Sequence, residues 1–140
     1  MNELLPMDRD THIVGLLKLI DPAEKDRMKR AFETAKGRTK WLHKRLAHQV
    51  EMHPDHSNEI PRGQRDEESV LNTLYKLGAP EKCYVVASDH ATDDSFQSLG
   101  LLLTERYVEF GHGTIFSCLP GKLALFKTAF PHKSIIVQRK

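Results

Sequence analysis

Gly113-Thr114-Ile115-Phe116-Ser117-Cys118-Leu119-Pro120-Gly121-Lys122-Leu123-Ala124-Leu125-Phe126-Lys127 is the stretch that decides the fold. Two apolar runs rich in β-formers meet at Pro120-Gly121. Leu119-Pro120-Gly121-Lys122 fits a type II turn, with proline second and glycine third. Tight hairpins favour the primed turns, so a bulge or a loose loop is expected beside this one. Both runs carry apolar residues on both faces, which predicts a central place in a sheet.

Working outward, Cys83-Tyr84-Val85-Val86-Ala87 is a short continuous apolar run and reads as a buried strand. Asp94 with Gln97 three residues on suggests a helix cap, and Phe96, Leu99, Leu102, Leu103, Val108 and Phe110 give an apolar side to a helix over 94–110. Strand, helix and strand 114–119 then make a βαβ unit with parallel strands and a right-handed crossover. The hairpin adds one antiparallel strand and Ser134-Ile135-Ile136-Val137-Gln138 another. The predicted class is α+β: a four-stranded mixed sheet packed with helices. Helix 66–77 has acidic residues in its first turn, a face of Val70, Leu71, Leu74 and Leu77, and a stop at Gly78 before Pro80.

Two helices precede the sheet. Ile13, Leu16, Leu17 and Ile20 follow Asp10 at helical spacing, with Gly15 as a weak point. Asp21-Pro22-Ala23-Glu24 is a strong helix start. The helix it opens, over 22–50, carries a stripe of Met28, Phe32, Ala35, Leu42, Leu46 and Val50, and Gly37 is the place where it would divide. The remaining faces are basic: nine cations from Lys25 to Arg45 stand against Asp26 and Glu33. The chain as a whole, at 140 residues and +2, is nearly neutral, so any argument from charge rests on this clustering. Segment 1–50 is thus a helical region with a basic face. Segment 51–65 is a polar His-rich linker, and 66–140 is the sheet region, the whole forming one compact unit. These helices either cover the sheet's second face or project as an arm.

Clustered lysine and arginine release counterions from a phosphate backbone. Lys29, Lys36, Arg38, Lys40, Lys44 and Arg45 are the candidate nucleic-acid contacts; the plain alternative is a solvated helix face. Trp41 beside Lys40 reads as packed sooner than as a base-stacking platform. His43, His48, His53 and His56 crowd toward the linker, and His53, Asp55 and His56 are the weak metal candidates, without the spacing of a formed site. In a parallel sheet, ligands favour the carboxyl ends of strands. That rule would set Ser88, Asp89 and His90 across a crevice from Pro120-Gly121 as weak catalytic candidates. Adjacent residues rarely point at one another, and a polar turn is the plain reading. Cys83 and Cys118 sit in apolar runs and read as small buried hydrophobes.

With no basic leader, no apolar run long enough to span a bilayer and no internal repeat, the expectation is a cytoplasmic protein without membrane association. No cofactor is expected. Its expected function is non-enzymatic: a binding or regulatory module that contacts nucleic acid through the basic helix. The alternatives are a protein-interaction module that self-associates along the stripe 28–50, and a small enzyme or metal-binding protein centred on 88–94.

Overall fold

A computed structural model describes residues 9–20, 22–42, 57–59, 67–87, 93–105, 114–128 and 133–139. The class is α+β. Helices α1 (Arg9–Leu17), α2 (Lys25–Ala31) and α3 (Ala35–Trp41) come first, with a 3-10 turn at Pro22–Glu24. Strand β1 (Ser57–Glu59), helix α4 (Glu67–Lys76) and strands β2 (Lys82–Ala87) and β3 (Ser95–Ser98) follow. Helix α5 (Leu99–Glu105) and strands β4 (Thr114–Leu119), β5 (Leu123–Thr128) and β6 (Lys133–Gln138) complete the order.

The six strands form one sheet in the order β1-β6-β5-β4-β2-β3, and every pairing is antiparallel. This corrects the expectation of a four-stranded mixed sheet. The error lies at 94–98. The proposed cap residue Asp94 adopts a left-handed backbone, φ 56°, and its N–H donates to Val85 O at 2.8 Å. The chain therefore folds back onto β2 as a short edge strand, with Phe96 opposite Tyr84, before α5 begins. The segment between β2 and β4 already contains this reversal, so the two strands run antiparallel, with Ala87 opposite Thr114. Ser57–Glu59, read as linker, pairs with β6 at the other edge.

The hairpin of β4 and β5 matches its reading. Lys122 N–H donates to Leu119 O at 2.9 Å, Gly121 has φ 73°, and the register shifts between Ser117 and Leu119. Helix α4 ends before Gly78 as its punctuation predicts.

Strand alternation sorts the core into two layers. Tyr84, Val86, Ile115, Ala124, Phe126, Ile135 and Val137 face α1–α3, meeting Leu16, Leu19, Ile20, Met28, Phe32, Trp41 and Leu42. Val85, Phe116, Leu123, Leu125 and Ile136 face α4 and α5. The N-terminal helices thus cover the sheet and do not project as an arm. Each buried large apolar side chain contributes about 1.5–3 kcal/mol, so this layer is part of the fold's stability. Cys83 and Cys118 are free and buried in the second layer.

The segment read as one helix from 22 is broken in its described part. Helix α2 ends at Ala31, and Thr34 caps α3 by accepting from Gly37 N–H at 2.9 Å. The break therefore falls at 32–34. Gly37 lies beyond it, where α3 turns back so tightly that a Cβ would sit 2.2 Å from Ala31 O. Asp10 lies inside the first turn of α1 and does not precede it. No helix among the described residues is long and apolar enough to cross a membrane.

Candidate functional site

Helices α1 to α3 present two different sets of charges. One set points inward, to the end of the sheet where β2 leaves off. Arg38, on the buried side of α3, donates from Nε to Asp93 Oδ2 at 2.9 Å and from Nη1 to Phe32 O at 3.2 Å. Its Nη2 lies 3.6 Å from Asp94 Oδ2. Arg9 on α1 donates from Nε to Asp94 Oδ1 at 2.5 Å and from Nη2 to Phe32 O at 3.4 Å. The Tyr84 hydroxyl donates to Asp94, and Ala87 N–H donates to Asp93 Oδ1 at 3.1 Å. Two guanidinium groups, two carboxylates and a phenol thus tie three elements together. Phe32 O, at the end of α2, adds an acceptor where the helix dipole is negative.

This clamp is matched in charge and its polar atoms are occupied, so it holds structure and offers no free acid or base. Asp94 sits in the left-handed backbone region, which glycine and, less often, asparagine and aspartate adopt. Burial disfavours its charge, but the donations from Tyr84 and Arg9 and the positive charge of Arg38 outweigh burial and hold the carboxyl below its usual pKa. Burial, with the hydrogen bond to Asp94, pushes the Tyr84 phenol upward. A carboxylate whose folded pKa is depressed adds stability that is fully present above the unfolded value, 3.8, and is lost as pH falls through the folded value. Asparagine tolerates the left-handed backbone but cannot ionise. Asp94→Asn is therefore expected to flatten the acid-side loss of stability, seen as a smaller shift of the urea midpoint between about pH 6 and about pH 3 than in wild type. Equal shifts in the two proteins would remove Asp94 as a source of that loss.

A second internal link was not visible in the sequence. His12 of α1 is buried, with Nδ1 2.7 Å from Ser117 Oγ on β4 and its ring 5.7 Å from Tyr84 and 5.4 Å from Phe96. It seats α1 on the sheet.

The other set of charges points outward. Lys29, Lys36 and Lys40 are exposed, and none of the three forms an ion pair among the described residues. Lys36 and Lys40 stand four apart, on one side of α3. Lys25, Arg27 and Arg30 are exposed on α2, with Arg27 paired to Glu24 at 3.2 Å. Asp26 and Glu33 are exposed among them.

Of the sequence candidates for nucleic-acid contact, Lys29, Lys36 and Lys40 therefore lie on the surface. Arg38 is buried and spent on the clamp, because its position on α3 turns it toward β2 with Trp41. Lys44 and Arg45 lie outside the described residues. Trp41 is packed edge-on against Phe32, ring centroids 5.6 Å apart, and is no stacking surface. Met28, Phe32 and Leu42 of the stripe are buried against the sheet, so that part of it is core, whereas Leu46 and Val50 lie outside the described residues.

The weak catalytic candidates Ser88, Asp89 and His90 and the weak metal candidates His53, Asp55 and His56 also lie outside the described residues, as do His43 and His48. Among the described residues no group of histidine, cysteine and carboxylate side chains is placed to hold a metal ion. The described flanks of the segment expected to face Pro120-Gly121 across a crevice, Ala87 and Asp93, lie at the end of the sheet away from that turn. Ala87 is opposite Thr114, at one end of β4, and the turn is at the other end. A strand of this length separates them by roughly 17–20 Å. Cys118 is held as an inert thiol: its hydrogen bond with Cys83 and its burial push its pKa well above the usual value. Comparison with protein-family models, with curated proteins and with solved structures finds no match.

Proposed function

We propose that this chain is a non-enzymatic binding module that contacts nucleic acid through the outer face of α2 and α3. The observation that carries the reading is the sorting of charge on this layer. Arg38 is turned inward and neutralised by Asp93 and Asp94, and Arg27 is paired to Glu24. Lys29, Lys36 and Lys40 remain in solvent, on a layer whose apolar side is anchored to the sheet. Rigid attachment means that these cations are presented without the cost of ordering a disordered segment. Phosphate contacts of this kind are sequence-independent and salt-dependent.

The test is fluorescence anisotropy of a labelled oligonucleotide duplex at low salt. Wild type is expected to bind, and the triple reversal Lys29→Glu, Lys36→Glu and Lys40→Glu to weaken binding by more than about tenfold. All three positions are exposed, so the variant is expected to keep its thermal midpoint, which separates lost binding from lost folding. Absence of binding by wild type at low salt, or full binding by the folded triple variant, would remove the reading.

A further inference from the structure

Helix α1 crosses the β4–β5 turn with its backbone nearly touching it. A Cβ on Gly15 would lie 2.3 Å from Gly121 N and 2.8 Å from Pro120 C. Two hollows open beside this contact, and Lys18, Pro120 and Gly121 line both. One part, about 330 Å³, is lined by Thr11, Val14, Gly15 and Lys18 with Pro120 and Gly121. The other, about 130 Å³, is lined by Lys18, Lys122 and Arg139 with Pro120 and Gly121. The two share Lys18, Pro120 and Gly121, so they adjoin at the turn and together make up a groove. Its total size is in the range of small-ligand clefts, about 300–1,000 Å³.

The smaller part has three cationic side chains and no carboxylate. Their bases are fixed in place. Lys122 N–H closes the turn on Leu119 O at 2.9 Å, and Arg139 N–H donates to Lys122 O at 2.8 Å. The Lys18 Cδ stands 3.6 Å from the position a Gly121 Cβ would take. None of the three forms an ion pair among the described residues. The larger part is apolar at Val14, which is 55% exposed, and at Pro120; its carboxylate, Asp10, is bonded to Arg9 at 3.1 Å. Three converging cations suit a dianion better than a monoanion, and a guanidinium adds a fork that matches phosphate oxygens.

We propose that this groove is a binding site for a small phosphomonoester. Its phosphate sits among Lys18, Lys122 and Arg139, and its uncharged body lies over Val14, Gly15 and Pro120. The site is separate from the α2–α3 face, and no residue of it belongs to those helices.

The test is a two-dimensional NMR titration of the full isotope-labelled chain, at constant ionic strength. The probes are inorganic phosphate and phenyl phosphate. Saturable shifts are expected at the amides of Gly15, Gly121, Lys122 and Arg139, with phenyl phosphate binding more tightly than inorganic phosphate. The pair Lys18→Ala and Arg139→Ala is expected to weaken both by at least about tenfold, and the pair Lys36→Ala and Lys40→Ala to leave both unchanged. Shifts that fail to saturate, or that spread evenly over the exposed lysines, would overturn the proposal on wild type alone. So would binding that survives the first pair of substitutions. Because the probes are small and the control pair lies on α3, failure here leaves the duplex-binding test on the α2–α3 face to stand or fall by itself.

Discussion

Arg38→Ala is expected to lower the stability of the folded chain by about 3–5 kcal/mol, the range for breaking a buried pair on one side. The Arg38 and Asp93 side chains are only 6% and 5% exposed, and Asp93 would keep its charge with one backbone donor, Ala87 N–H, in place of the guanidinium. Phe32 O would lose a donor at the same time. The measurement is the urea midpoint with an unchanged m-value. Arg38→Lys is expected to recover only part of the loss, because an ammonium cannot reach Asp93 and Phe32 O with the geometry of a planar fork. Arg38→Leu combined with Asp93→Asn is expected to be less damaging than Arg38→Leu alone, since it removes the stranded charge. A loss below about 1 kcal/mol for Arg38→Ala, the value of an exposed pair, would show that the clamp is not the buried junction described here.

The second large effect is at Gly15. Alanine in a helix interior is ordinarily favoured over glycine by about 1 kcal/mol. At Gly15 the sign is expected to reverse, with Gly15→Ala costing about 2–3 kcal/mol and Gly15→Val more. The added carbon meets the backbone of Pro120 and Gly121, which cannot rotate away. Gly100 in α5 is the internal control. Its nearest neighbour would be the Tyr75 hydroxyl at 3.5 Å, an ordinary contact with a side chain. Gly100→Ala is expected to be neutral or to stabilise by up to about 1 kcal/mol. Thermal or urea unfolding of the two variants should therefore move in opposite directions. Equal behaviour would contradict the close approach of α1 to the hairpin turn.

Both effects depend on contacts that no local stretch of sequence announces. Arg38 stands in a run of cations, and its partner Asp93 is 55 residues away. His12 and Ser117 are 105 apart. Helical spacing could have placed Arg38 beside the stripe, since Trp41 and Leu42 are three and four residues on, but a positive charge there resembles its neighbours until Asp93 is brought up to it. What was legible came from strong local chemistry. Helix α4 carries acid at its start, an apolar stripe and a glycine stop, and the β4–β5 hairpin carries Pro120-Gly121. Strands β2 and β6 are short β-branched runs with few competing signals.

The direction of the strands was not legible, because it hangs on one residue. Asp94 and Gln97 satisfy the sequence pattern of a helix cap, and only the left-handed turn at Asp94, held by Arg9 and Tyr84, makes β3 instead. Placing 88–94 and the turn 120–121 at one edge followed from that error, and so did the crevice drawn between them. The cationic groove at Pro120-Gly121 was beyond local reading for a related reason. Lys18 follows α1, Lys122 lies in the β4–β5 turn and Arg139 follows β6, and only the crossing of α1 over the hairpin gathers them.

Charge sorting on α2 and α3 underlies the functional account, and the salt dependence of duplex DNA binding tests it most directly. Three phosphate contacts at about 0.9 each predict that log Kobs falls with log salt at a slope of about −3 for wild type. The slope should be shallower by about 2 to 3 in the Lys29→Glu, Lys36→Glu, Lys40→Glu variant. A wild-type slope near zero, or the same slope in both proteins, would contradict the claim that these three lysines face a phosphate backbone.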